Sequence, residues 1–257
     1  SSATITSQGG SSIYNGLTIE ADRRLSRSLI FNVNYTWAKS LSDVNLRSSS
    51  AGAQQNQYQR YLERADDNNI RRQQLRFNYV YQLPVGRGQQ FLSSMGAVPN
   101  AVLGGWELVG ITTFYTGPRL SPAFSGSDPA NTNQYSGRPD RVADGNLSGD
   151  MGDMIRARQP IFDRSAFVLP VSGRGYYGNS ARNILTGPGL SNWNIGIHKN
   201  WMLPGESAKL QFRWEMFNAF NRVNFNTPTT NIQSGSFALV TSSGAARSML
   251  FGLRLDF

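Results

Sequence analysis

The chain has 257 residues, enough for one large all-β domain or two smaller ones, and no cysteine, which excludes disulfides and thiolate metal sites. No run approaches the roughly eighteen apolar residues of a membrane-spanning helix, which argues against a helical membrane protein but not against a β-barrel, whose alternating strands leave the mean hydropathy negative, as it is here. The net charge of +9 does not indicate nucleic acid: basic residues occur singly, with only Arg23-Arg24 and Arg71-Arg72 adjacent, whereas a phosphate-binding surface needs clusters.

Seven segments carry strand periodicity: about 13–25, 28–39, 72–83, 103–117, 191–203, 208–219 and 247–257. In the second, Leu29, Phe31, Val33, Tyr35 and Trp37 alternate with Asn32, Asn34 and Thr36. In the third, Leu75, Phe77, Tyr79, Tyr81 and Leu83 alternate with Arg76, Asn78 and Gln82. The fourth is ambiguous, because Leu108 and Val109 fall on opposite faces and both are apolar; in the fifth, Lys199 interrupts the register of Trp193, Ile195, Ile197 and Trp201. The sixth is the clearest, with Leu210, Phe212, Trp214 and Met216 set against Lys209, Gln211, Arg213 and Glu215. In the last, Met249, Phe251, Leu253, Leu255 and Phe257 alternate with Leu250, Gly252, Arg254 and Asp256, and the chain stops on the aromatic. Strict period two separates an apolar from a polar face, as a barrel with lipid outside and water inside requires.

The connections alternate in length. Arg24-Leu25-Ser26-Arg27 and Pro204-Gly205-Glu206-Ser207 read as tight turns and 84–102 as a medium one, while 40–71, 118–190 and 220–246 are long. Outer-membrane barrels have short periplasmic turns and longer external loops, so counting back from Phe257 puts every long connection outside. Seven strands cannot close a conventional single-chain barrel, which has an even number; the chain reads as about a third of a larger one, with residues 1–12 in the preceding external loop. Alone it would expose two sheet edges and an apolar face. Ser1-Ser2-Ala3-Thr4 carries neither an initiator Met nor an export signal, so the chain reads as mature or as part of a longer polypeptide. Tryptophans and tyrosines near strand ends suit interfacial girdles, although aromatics are also good strand formers.

Tyr14-Asn15-Gly16-Leu17, Arg23-Arg24-Leu25-Ser26 and Asn34-Tyr35-Thr36-Trp37-Ala38-Lys39-Ser40, with Leu83-Pro84-Val85-Gly86-Arg87-Gly88, Gly104-Gly105-Trp106, Gly187-Pro188-Gly189 and Phe217-Asn218-Ala219-Phe220-Asn221, carry a resemblance. The chain resembles the C-terminal barrel portion of TonB-dependent outer-membrane receptors of the carboxypeptidase-regulatory-like (Oar-like) type of Acidobacteria. The resemblance implies a 22-stranded barrel in the bacterial outer membrane. It also implies a plug domain elsewhere in the same parent chain, a TonB-type energy transducer as partner, and import of a scarce solute (an oligosaccharide, peptide or metal chelate). The plug and the transducer-contacting box have no counterpart among these residues, so energised gating rests on the resemblance alone. Gly252, Leu255 and Phe257 fit the terminal signal read by the barrel-assembly machinery, whereas Leu250 stands where that signal prefers a polar residue.

No catalytic constellation emerges, and no cofactor or metal is expected. His198 is the only histidine and reads as a lumen-facing hydrogen-bonding residue; Gly86-Arg87-Gly88 lacks the rest of any nucleotide fingerprint. Asp66-Asp67-Asn68-Asn69, and Ser127-Asp128 with Asp140 and Asp144, suit either external calcium or solute contacts or an ordinary solvated loop. The connection 118–190 is too long for an inert link, and Tyr135, Phe162, Tyr176 and Tyr177 are its candidate ligand contacts, though packing within the loop explains such aromatics equally well. Arg76, Arg213, Glu215 and Arg254 are candidate lumen residues holding the plug or lining the path. Two other readings stay open: a passive porin-type channel or surface adhesin, with the same strand pattern and no plug, and a soluble β-sandwich, whose apolar faces would meet in a core.

Overall fold

The computed structural model describes residues 9–25, 28–43, 55–56, 59–203 and 208–257. Residues 1–8, the tip Ser26-Arg27, most of 44–58 and the expected turn 204–207 lie outside the described residues. Seven long strands form one antiparallel meander: β1 Ser12–Leu25, β2 Leu29–Ser42, β3 Gln73–Gln82, β4 Trp106–Tyr115, β5 Leu190–Met202, β6 Lys209–Phe217 and β7 Ser248–Asp256. All seven expected strands are present, and consecutive antiparallel pairing places the connections 43–72, 116–189 and 218–247 together at one end of the sheet. β2 runs past the expected 28–39 because the apolar alternation fails at Ala38-Lys39-Ser40 while backbone pairing with β1 continues to Ser12↔Ser42.

The register carries the sequence alternation into two sheet faces. Trp37, Tyr35, Val33 and Phe31 of β2 lie opposite Leu17, Ile19, Ala21 and Arg23 of β1, and Tyr35, Val33 and Phe31 lie opposite Leu75, Phe77 and Tyr79 of β3. Further along, Ile197 faces Trp214 and Trp214 faces Phe251. Ring contacts knit this face across strands: Phe31 to Phe77 at 6.2 Å, Phe114 to Trp193 at 5.7 Å and Trp214 to Phe251 at 5.8 Å between centroids. In β4, Leu108 belongs to this face, opposite Tyr81 and Ile197, while Val109 belongs to the other. Gly110 also lies here because the Tyr79 ring covers it; a Cβ would come within 2.2 Å of Tyr79 Cζ.

The buried apolar core lies in the connections rather than against the sheet. Phe124, Ile155, Phe162, Phe167, Leu185 and Phe237 pack together at the long-connection end, with Phe167 and Phe237 edge to face at 6.2 Å. The chain returns over long distances to build this unit, with Ala123 bridging Asn231 and Asn146 bridging Phe162. By contrast Leu253, on the apolar sheet face, is 73% exposed. A soluble β-sandwich would need a second large sheet over that face, whereas the other sheets among the described residues are two-residue pairs; the sandwich reading fails on this point. A continuous apolar face of this extent is unstable in water and stable against hydrocarbon.

Two short helices were not anticipated: α1 Ala97–Leu103 within the β3–β4 connection, and α2 Met151–Arg156, whose N-cap Asp150 accepts from the Asp153 backbone N–H.

Candidate functional site

A cleft of about 950 Å³ opens in the unit built by the long connections, between residues 55–56 and 59–63 of the β2–β3 connection and the β4–β5 connection. One wall is fixed by an ion pair whose carboxylate is buried. Glu63 accepts two hydrogen bonds from the Arg138 guanidinium, at 2.8 and 2.9 Å, and one from the Gln55 backbone N–H at 2.9 Å. Arg138 Nε donates to the Ser180 carbonyl at 2.8 Å, and Gln55 Nε2 to that of Gly178 at 2.8 Å. Three stretches of chain distant in sequence are thus locked at one point, and charge-assisted forks of this kind are among the strongest hydrogen-bonding arrangements.

The other wall carries the tyrosines. Asp140 accepts a bidentate fork from Arg174, and the Arg174 guanidinium carbon lies 4.1 Å from the Tyr176 ring centroid. The hydrogen bond from Arg174 holds the Asp140 carboxyl below the usual carboxylate range, while partial burial opposes the shift. Tyr177 shares a 3.1 Å hydroxyl contact with Thr132. Asn56, Gln59, Gln134 and Asn179 also line the cleft, with Leu62 as an apolar member. Exposed aromatic faces among amide side chains suit a neutral or weakly polar solute with both apolar faces and hydrogen-bonding edges.

The expected contact residues separate on this map. Tyr176 and Tyr177 line the cleft; Tyr135 is exposed but does not line it. Phe162 is corrected: it is 1% exposed, inside the core of the loop unit, where an apolar ring gains more from packing than it would from solvent. The cleft's polar wall escaped sequence reading, since Glu63 and Arg138 are far apart in sequence and nothing local marks them as partners.

The acidic stretches have protein partners. Asp66 pairs with Arg72 at 2.7 Å and Arg119 at 3.2 Å. Asp67 accepts from Asn69, Asp128 from the backbone N–H groups of Thr132 and Asn133, and Asp144 from Asn146. Among the described residues no group of three His, Asp or Glu side chains is arranged to hold a metal ion.

The polar sheet face carries a second cluster. His198 lies opposite Glu107 of β4 and Arg213 of β6, with its Nδ1 3.6 Å from Glu107 and its Nε2 3.8 Å from Glu215. These spacings exceed hydrogen-bond length, and Arg213 donates a single hydrogen bond to Glu215. Arg76 Nε donates to the Tyr115 hydroxyl at 2.8 Å, and Arg254 Nε to Asp256 at 2.8 Å. All four candidate lumen residues lie on this face. Of the terminal residues, Gly252 sits on the polar face opposite Arg213, Leu255 on the apolar face opposite Leu210, and Phe257 follows the last strand, 99% exposed.

A meander with one apolar face, one hydrogen-bonded polar face and all long connections at one end defines a membrane-spanning β-barrel segment. The family described as "Outer membrane beta barrel domain" matches residues 1–249, and the chain belongs to it; its place is the bacterial outer membrane. Neither the curated proteins nor the solved structures gave a significant match.

Proposed function

We propose that this chain is the C-terminal barrel portion of a TonB-dependent receptor that imports a scarce solute, acting by transport rather than catalysis. The observation that carries the reading is the folded external unit with its preformed cleft. A passive pore has no need of a cleft with two tyrosines on its outer loops, whereas a receptor must capture dilute solute before moving it. The polar face supports the same role: Arg76, Arg213, Glu215 and Arg254 give a plug of the parent chain charged and hydrogen-bonding groups to rest against. Its partners are then the plug, the energy transducer that acts on it, the barrel-assembly machinery and the surrounding lipid. The solute class suggested by the lining is an oligosaccharide or peptide, with a metal chelate as the further member.

The test is uptake by cells producing the full-length parent protein, with and without an active TonB-type transducer. Transducer-dependent uptake that falls when Tyr176 and Tyr177 are both replaced by Ala is expected. Uptake that persists without the transducer would instead identify a passive porin-type channel, and cell binding without uptake an adhesin.

A further inference from the structure

The β3–β4 connection, residues 83–105, lies at the end of the sheet away from the long loops, and its length alone makes it a connection of medium length. It is a folded object. Phe91 N–H donates to the Pro84 carbonyl at 2.9 Å and Gly86 N–H to that of Phe91 at 3.0 Å, while Asn100 of α1 accepts from the Arg87 backbone N–H at 2.7 Å. The last carbonyls of α1 are taken up by the sheet. Trp201 Nε1 donates to Ala101 at 2.7 Å, Trp106 Nε1 to Val102 at 2.9 Å, and Lys199 Nζ to Gly104.

Trp106, Lys199 and Trp201 all belong to the apolar sheet face by register, so α1 is rooted on the lipid side of the sheet. This also accounts for the lysine that breaks the β5 pattern. Lys199 is 2% exposed, its ammonium lies 5.8 and 5.1 Å from the Trp106 and Trp201 ring centroids, and it sits at the negative end of the helix.

The connection then turns its apolar side chains outward. Phe91, Leu92, Val98, Val102 and Leu103 are between 48% and 78% exposed. Leu92 holds φ at 57°, a left-handed conformation unfavourable for a bulky residue, with its side chain out. Across 83–105 the only charged residue is Arg87; there is no carboxylate. In water this surface is costly. At a bilayer it matches an interfacial segment: apolar tips in the acyl boundary, indoles at headgroup level and a single cation for anionic headgroups.

We propose that residues 83–105 form a membrane foot, with α1 and the Phe91-Leu92 turn embedded in the headgroup-to-acyl boundary of the periplasmic leaflet. Its occupant is bilayer lipid, because the foot is continuous with the lipid-facing sheet surface through Trp106, Lys199 and Trp201. The inference rests on the barrel orientation given above. Its test uses spin labels at Val98→Cys and Phe91→Cys in the full-length parent protein, reconstituted in phosphatidylethanolamine and phosphatidylglycerol bilayers. Collision with oxygen and with a water-soluble nickel chelate is read by power saturation. Leu253→Cys on the apolar face and Val171→Cys in the external loops are controls.

The expected result is that both foot labels shift toward oxygen, with Leu253, and away from nickel, opposite to Val171. Foot labels as accessible to nickel as Val171, or shielded from both relaxants as under a protein partner, would overturn the proposal while Leu253 still reads lipid. A Leu253 label that reads water would instead overturn the barrel orientation itself.

Discussion

Glu63 and Arg138 join two connections distant in sequence, with Glu63 buried and Arg138 half-buried. Removing only Arg138 leaves a carboxylate without its counter-ion, which in such sites costs about 3–5 kcal/mol. Arg138→Ala should therefore expose the external connections to limited proteolysis, and Glu63→Gln combined with Arg138→Met should recover much of the resistance. Asp140 makes a pH-dependent counterpart. Its folded pKa is depressed, chiefly by the Arg174 hydrogen bond, so the stabilisation is fully present above the unfolded value of about 3.9 and is lost as pH falls through the folded value. Protection against hydrogen exchange at 174–179, taken relative to the intrinsic rate, should hold near neutrality and fall in acid, whereas Asp140→Asn should lack it already at pH 7. Phe162 and Tyr176 should part company in the same assays. Phe162→Ala removes a core ring at a cost of about 3–5 kcal/mol and should loosen the unit, while Tyr176→Ala should leave protease resistance intact and weaken solute binding.

The strands follow from the sequence because a lipid-facing strand has almost no freedom: one residue of slip would turn every apolar side chain into the lumen. Lys209 to Met216 alternates without a fault, and the strand runs over Lys209–Phe217. What the alternation does not encode is what happens beyond the hydrocarbon. β2 continues through Lys39 and Ser40 on backbone pairing alone, and α1 is seven residues bounded by Gly96 and Gly104, too short to show a helical period. The loop core was illegible for a different reason. Phe124 and Phe162 of the β4–β5 connection meet Phe237 of the β6–β7 connection through bridges such as Ala123 to Asn231, and no local pattern foretells such meetings. The same limit hid the Glu63–Arg138 wall, while Tyr176 and Tyr177 stood out only as aromatics in a suspiciously long loop. Gly110 offers a test at this scale: a Cβ there meets the Tyr79 ring at 2.2 Å, so Gly110→Val should displace that ring and lower the thermal unfolding temperature of the barrel more than Gly252→Val, whose Cβ meets nothing within 4 Å.

For the whole molecule, stability is divided between two solvents. The sheet buries its apolar face in hydrocarbon, and the external unit buries its own core in water, so each half is packed for its own side of the boundary. This division explains why the buried apolar residues cluster in the connections and why the sheet face is left bare. It also requires that the long connections lie on the cell surface and the β3–β4 connection on the periplasmic side. Because these 257 residues contain no cysteine, single cysteines placed in a parent protein cleared of any other cysteine report that directly. The decisive measurement is labelling of intact cells that produce the full-length parent protein with a membrane-impermeant maleimide, at Val171→Cys in the β4–β5 connection and Ser94→Cys in the β3–β4 connection. Labelling of residue 171 in intact cells, and of residue 94 only after the outer membrane is permeabilised, is the predicted result. Equal labelling of both in intact cells, or labelling of residue 94 alone, would contradict the account.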